Sequence, residues 1–263
     1  MASAPIISLL TDFGLADAYV GVMKGVMLGI CPAARLVDLT HEVPPQGIIP
    51  GALLLRSAVG FFPDRTVHLA VVDPGVGSTR HPIAMVTEHG VLVGPDNGLL
   101  YPAAAALGLL EVRRLERDEF FLQPVSRTFH GRDIFAPVAA HLAAGVPPRE
   151  LGALLPAPQS LTLPEPRCAP DGVEGEVIHI DRFGNLITNV PAGAVAGFQM
   201  QRGSVSIDRV YIAPIVTAYA AVAEGSPLAI IGSWGMLEVA VRNGNAAERF
   251  GVTTGTPVTV TAD

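Results

Sequence analysis

Two short runs carry side chains that can together activate a water molecule. In Val72-Asp73-Pro74-Gly75-Val76-Gly77-Ser78-Thr79-Arg80 a carboxylate stands where an apolar run ends, a glycine-bearing turn follows, and a guanidinium comes seven residues after the acid. In Thr128-Phe129-His130-Gly131-Arg132-Asp133 an imidazole sits beside a glycine at the expected start of a helix. A carboxylate or an imidazole can take a proton from water, and a neighbouring cation favours hydroxide character. Each group also has a plainer reading. Asp73 and Arg80 can form an ion pair across a solvated turn, and most of the seven histidines have no special setting. The first run is neither a Walker loop nor a dinucleotide fingerprint, because no Gly-Lys-Ser/Thr follows and the glycine spacing differs. Asp12, Asp73 and His130 can be imagined around a metal. No pair of histidines has ligand spacing, however, and no metal is expected.

The elements that must position these groups follow from hydrophobic periodicity. Ile6–Thr11, Leu36–Leu39 and Val67–Asp73 read as buried strands, Ala18–Ile30 and Ile48–Phe61 as helices. Ile83–Val86 with Val91–Val93 reads as a hairpin, and Leu99–Leu107 and Ile134–Ala144 as further helices. Strands alternating with helices predict an α/β domain over residues 1–155 with a central, mostly parallel sheet covered on both faces. The stretch Leu155–Pro170 holds five prolines without apolar periodicity, so 156–172 is expected to be a Pro-rich linker. Beyond it, Val173–Ile180, Leu186–Val190, Val205–Ile212, Leu228–Ile231, Leu237–Arg242 and Val258–Thr261 read as short strands without helices. They predict a small β-barrel or sandwich over 173–263.

Ligand-binding candidates lie in both halves. Asp12, at the end of the first strand in Thr11-Asp12-Phe13-Gly14, can accept two hydrogen bonds from a ribose diol. It can equally be a turn-former or helix cap. Asp17 either joins that pocket or begins the next helix. In Asp181-Arg182-Phe183-Gly184-Asn185 a phenylalanine beside a carboxylate and an amide can stack on a purine and bond its edge. Ser233-Trp234-Gly235 and Arg242-Asn243-Gly244-Asn245 add another aromatic and further amides. Phe183-Gly184-Asn185 and Asn243-Gly244-Asn245 are also good hairpin-turn sequences.

Composition narrows the classes. With 263 residues the chain can bury a substantial core, and only 16% of residues are charged, against a usual share of about a quarter. So little charge predicts apolar surface hidden in a subunit interface. A net charge of −7 argues against a nucleic-acid partner but suits a cationic small molecule. Cys31 and Cys168 read as ordinary thiols of a reducing compartment. The N-terminal residues lack a positive region and a long apolar run, and Pro214, Glu224, Gly225 and Pro227 interrupt the most apolar stretch, Ile212–Ile231. Neither a signal peptide nor a membrane span is expected, and the chain is read as cytoplasmic.

Taken in order along the chain, several runs resemble the S-adenosylmethionine hydrolase family, the adenosine-forming S-adenosylmethionine hydroxide adenosyltransferases. The runs are Thr11–Gly14, Asp38–His41, Val72–Gly77, Gly94–Gly98, Thr128–Asp133, Asp181–Asn185 and Leu237–Ala240. That family is similar to the fluorinating and chlorinating 5′-halo-adenosine synthases. The resemblance implies a Rossmann-like N-terminal domain, a C-terminal β-barrel, and a homotrimer with sites at subunit interfaces. It also implies S-adenosylmethionine as substrate, water as nucleophile and no cofactor. Asp73, Arg80 and His130 fall on the hydrolase triad. Asp12 is expected to hold the ribose; Phe183, Asn185, Arg242 and Asn243 to frame adenine; and Asp181 and Ser233 to meet the methionine end. Phe13, Asp17, Phe129 and Trp234 complete the expected substrate contacts. In the halogenases an aromatic residue replaces Asp73. A halide about 4 Å from that carboxylate would be repelled by about 4 kcal/mol at an effective dielectric of about 20. Hydrolysis to adenosine and methionine is therefore the leading expectation. A halogenase and a non-catalytic S-adenosylmethionine or adenosine sensor are the alternatives.

Overall fold

The computed structural model describes residues 4–196, 203–208, 210–212 and 215–262. Contacts divide the chain into two units, Met1–Thr162 and Leu163–Asp263.

In the first unit, β1 (Ile6–Thr11), α1 (Tyr19–Ile30), β2 (Arg35–Thr40), α2 (Ile48–Val59) and β3 (Thr66–Val71) alternate as the apolar pattern requires. β4 (Pro82–Thr87) and β5 (Gly90–Pro95) form the expected hairpin. α3 (Tyr101–Ala106), β6 (Leu109–Arg114) and α4 (Ala136–Ala143) follow. The sheet order is β2-β1-β3-β5-β4-β6, with the first four strands parallel and β4 antiparallel to both its neighbours. Every residue of β3 is buried, as befits a central parallel strand covered on both faces. Alternate side chains feed two cores. Ile7, Leu9, Leu69 and Val71 pack with α1 and α4, while Leu10, Ala70, Val72 and Leu92 pack with α2 and α3. Pairing of Thr11 with Val71 makes β1 and β3 end at the same edge. Asp12 and Asp73 therefore both follow strand ends, where open α/β sheets hold ligands.

Three local readings change. β6 has no counterpart in the sequence reading, because Glu111, Arg113 and Arg114 break its apolar run. The helix read from Ile134 is preceded by one wide turn over Gly131–Phe135 and becomes α-helical only at Ala136. The helix read over Leu99–Leu107 shortens to six residues, with Pro102 in its first turn.

The second unit is a curled half-barrel. It contains β7 (Arg167–Ala169), β8 (Gly172–Ile180), β9 (Leu186–Pro191), α5 (Ala192–Val195), β10 (Gly203–Ile207), β11 (Val210–Ile212), β12 (Ile215–Val216), β13 (Pro227–Ile231), β14 (Met236–Val241), α6 (Ala246–Phe250) and β15 (Pro257–Ala262). Strand order is β11-β10-β15-β8-β9-β14-β13-β12, with β7 paired to β8. Alternate residues Val173, Val177, Leu186, Val190, Leu237, Val239, Val258 and Val260 fill one core. The stretch read as linker ends in structure, since β7 pairs with β8 through Cys168 and Val173. The run read as a single strand over Val205–Ile212 is a hairpin, β10 and β11, turning at Asp208 with a positive φ of 43°; residue 209 lies outside the described residues. Residues 213–214 of the apolar stretch Ile212–Ile231 also lie outside them. The short helices α5 and α6 depart from the all-strand reading, α6 because Asn245 accepts the Glu248 N–H as its N-cap. Among the described residues no helix is long and apolar enough to cross a membrane.

Candidate active site

Three side chains singled out by spacing meet in the first unit. The chain leaves β3 through Val72, whose carbonyl accepts a hydrogen bond from Asn97 Nδ2 at 2.8 Å. This contact from the Gly94–Gly98 run fixes the backbone just ahead of Asp73. Arg80 returns to Asp73 in a two-pronged ion pair, with Nε 3.0 and 3.1 Å from the two carboxylate oxygens and Nη2 also bonded to Oδ2. The pair is 5% and 8% exposed at Asp73 and Arg80, so it holds two charges largely out of water. Planar guanidinium geometry suits such bidentate contact better than an ammonium would. Arg80 also lies 5.3 Å from the centre of the Phe135 ring.

The same guanidinium reaches His130, with Nη2 2.8 Å from Nδ1. An arginine N–H only donates, so Nδ1 must present its lone pair, and the neutral ring then carries its proton on Nε2. Burial and the Arg80 charge hold the His130 pKa below the usual imidazole value, against the opposing pull of Asp73 and Asp133. The loop bearing His130 is braced by Asp133, which is fully buried and accepts from Ser126 N at 2.8 Å and from Arg132 Nε at 2.6 Å. Burial raises the Asp133 pKa, but the bonds from Arg132 and Ser126 outweigh it and keep the carboxyl ionised. Gly77 explains how the two motif loops pack. Its φ is +75°, and a Cβ there would lie 2.5 Å from the Arg127 carbonyl oxygen.

Asp12 Oδ2 accepts the Gln46 N–H at 2.8 Å. Phe13 and Phe129 form an aromatic cluster with Tyr19, at centroid separations of 5.9, 6.0 and 5.1 Å. Tyr19 escaped the sequence reading because it sits at the start of α1 among ordinary helical apolar residues. Asp17 is exposed in the preceding loop. Among the described residues no three His, Cys, Asp or Glu side chains converge as metal ligands.

The other candidates meet in the second unit, around a cleft of about 870 Å³. Asp181, Phe183, Asn185, Ser233, Arg242 and Asn243 line it. Phe183 is 74% exposed at its mouth. Asp181 organises the loop beneath it: Oδ1 accepts from Phe183 N at 2.8 Å and Asn185 N at 2.9 Å, while Oδ2 accepts from Asn185 Nδ2 at 2.9 Å. Gly184, with φ +82°, completes the turn, and Asn245 of the α6 cap packs against it. Trp234 is not among the cleft residues; it stacks on His179, with ring centres 5.1 Å apart.

Tyr219 and Glu238 also line this cleft; Glu238 falls in the Leu237–Ala240 run, but neither residue was singled out as a ligand contact. Tyr219 lies in a stretch without periodicity, and Glu238 reads as an outward residue of an alternating strand. In fact Glu238 is buried and accepts the Tyr219 hydroxyl at 2.5 Å. Burial raises the pKa of both groups, and the Asp181 charge adds to it.

Comparison with known proteins agrees over both units. The profile of the SAM hydroxide adenosyltransferase N-terminal domain matches residues 7–152, and that of the C-terminal domain residues 175–259. The chain is 43% identical, over the whole of both sequences, to a protein of Salinispora tropica named (R)-S-adenosyl-L-methionine hydrolase. A fluorinase of an Actinoplanes species is more distant, at 29% identity over 98% of this chain and 97% of its own. A crystal structure of an uncharacterized conserved protein from Thermotoga maritima superposes with a TM-score of 0.91 at 39% identity, covering 97% of this chain and 99% of that one. Sequence and fold together place the chain in the SAM hydroxide adenosyltransferase family.

Proposed function

We propose that the protein hydrolyses S-adenosyl-L-methionine to adenosine and L-methionine. One observation carries the mechanism: a single guanidinium bonds both the Asp73 carboxylate and His130 Nδ1. With Nδ1 so engaged, His130 offers Nε2–H to the oxygen of a water and orients it. Asp73 takes the proton, and Arg80 steadies the carboxylate in both of its states. The resulting oxygen nucleophile attacks the ribose C5′ in line with the C5′–S bond. That bond's electron pair leaves with sulfur and turns the sulfonium into neutral methionine thioether, so no acid is needed at the leaving group. Alignment by the surrounding loops supplies much of the acceleration.

In this reading Asp12 holds the ribose hydroxyls, and Phe13, Phe129 and Asp17 border them. Phe183 and Tyr219 give adenine its stacking faces, while Asn185, Arg242 and Asn243 meet its edge. Ser233 and Asp181 lie toward the methionine end, with Trp234 behind. The excess of acidic over basic residues favours a ligand bearing a sulfonium and an ammonium. Assembly as a homotrimer is part of the proposal, and the exposed Leu15, Tyr19 and Phe61 offer apolar surface for it. A cytoplasmic setting accords with the unpaired Cys31 and Cys168.

Turnover of S-adenosylmethionine in heavy-oxygen water tests the reaction. Adenosine carrying the label at its 5′ oxygen is the expected product. Halide-dependent haloadenosine identifies a halogenase instead, and tight binding without turnover identifies a sensor.

A further inference from the structure

The hydrogen-bond ring around Asp181 has a consequence for which base the cleft accepts. An asparagine amide ordinarily turns end for end at little cost, presenting oxygen or nitrogen as the ligand demands. Asn185 lacks that freedom. Its amide lies 2.9 Å from Asp181 Oδ2, and a carboxylate oxygen only accepts, so the amide must place nitrogen there. Asp181 itself is held by two backbone N–H groups, from Phe183 and Asn185, which fix its other oxygen. Asn185 lines the cleft, and its Oδ1, which has no partner among the described residues, and the second N–H of the same amide are left for a ligand.

We infer that Asp181 is a specificity-determining positioning residue: by locking the Asn185 amide it makes the cleft select a 6-amino purine and reject its 6-oxo counterpart. This rests on the reading of the cleft as the adenine site. The amino group of adenine donates to Oδ1, and the adjacent ring nitrogen accepts from the free N–H. A 6-oxo purine sets its carbonyl oxygen against Oδ1, acceptor facing acceptor, and the amide cannot turn to relieve the clash. A site that hydrogen-bonds one substrate group discriminates strongly when the partner leaves a buried polar atom unpaired.

The substitution Asp181→Asn tests this while keeping the turn. The new amide oxygen is retained by the two backbone N–H donors, so its nitrogen falls where Oδ2 was. A donor there pulls Asn185 Oδ1 toward itself and turns the Asn185 nitrogen to the cleft. The assay compares kcat/KM for S-adenosylmethionine and for its hypoxanthine analogue, which share the methionine end and differ only at the base. We expect wild type to favour the adenine compound by at least about 100-fold and Asp181→Asn to bring the two within about tenfold. Binding of adenosine against inosine, measured by calorimetry, should follow the same pattern without any methionine present. Asn185→Leu, which removes the reading group itself, should also lose the preference if Asp181→Asn does not fold. An undiminished preference in a folded Asp181→Asn or Asn185→Leu protein overturns the inference, as does a wild type indifferent to the base. If no S-adenosylmethionine is hydrolysed but the adenosine preference is present and vanishes in Asp181→Asn, the inference stands and the hydrolase reading fails.

Discussion

The Asp73–Arg80–His130 group and the Asp181–Asn185 loop use the same chemical parts in opposite ways. In the first, a carboxylate, a guanidinium and an imidazole are joined across 7 and 50 residues of sequence, and the Asp73–Arg80 ion pair is largely withdrawn from solvent. In the second, a carboxylate satisfies donors only two and four residues away, under a phenylalanine that is 74% exposed. The long-range group has almost no freedom, because each polar atom that moves leaves a buried charge unpaired. The local loop keeps its shape through its own turn and leaves an aromatic face open to a ligand. Reaction chemistry asks for fixed distances between unlike groups, whereas recognition asks for an accessible surface with a defined hydrogen-bond pattern. Rigid charge and exposed ring are accordingly found in different units of the chain.

This contrast can be broken most forcefully at Asp73. Asp73→Asn keeps the size of the side chain but removes its ability to take a proton, so kcat is expected to fall by about 1000-fold with substrate affinity within about tenfold. An equal loss in both, from single-turnover rates and calorimetric Kd values, would make Asp73 a ligand anchor and erase the distinction between the two regions.

The pH profile comes next in size. Burial and Arg80 favour neutral His130, so its folded pKa lies below the usual imidazole value of about 6.5. The acid limb of kcat/KM should therefore lie below that value, with about a tenfold loss per pH unit once the ring protonates and Nδ1 can no longer accept from Arg80. Because the unfolded chain binds this proton more readily, the same group also lowers stability as pH falls from about 6.5 toward the folded pKa. An acid limb at or above pH 6.5 contradicts the assignment of Nδ1 as acceptor.

The smallest of the three effects belongs to the exposed ring. Phe183→Leu removes one stacking face, raising Kd about tenfold while kcat and the melting temperature stay near wild type. A large loss of kcat with unchanged Kd would move Phe183 from recognition into the chemistry.

Much of the fold was legible from periodicity. β3 is buried at every position, and its mostly apolar run suits a strand covered on both faces, whereas β14 alternates in sequence yet is buried at every position but Met236. The misses share a cause, in that packing overrode pattern. β6 carries charges at an edge of its sheet, where ion pairs such as Arg113 with Glu111 are tolerated. β10 and β11 read as one strand because Asp208, which takes the positive φ of the turn, is not a glycine. At the site, Asp73, Arg80 and His130 announced themselves by type and setting. Tyr219 and Glu238 did not, since their link spans 19 residues and neither lies in a turn motif.

By itself the sequence determined which residues were available for chemistry and which turns would form. Those outcomes depend on φ preferences, short-range hydrogen bonds and hydrophobic period, all of which act within a few residues. The Asp181 loop is of this kind. Only the tertiary structure decided that Arg80 bonds His130 and thereby fixes the proton on Nε2, and that Glu238 holds the Tyr219 hydroxyl. Those contacts arise where strand ends and loops converge, and their protonation preferences follow from burial and neighbouring charge, which exist only once the chain is packed.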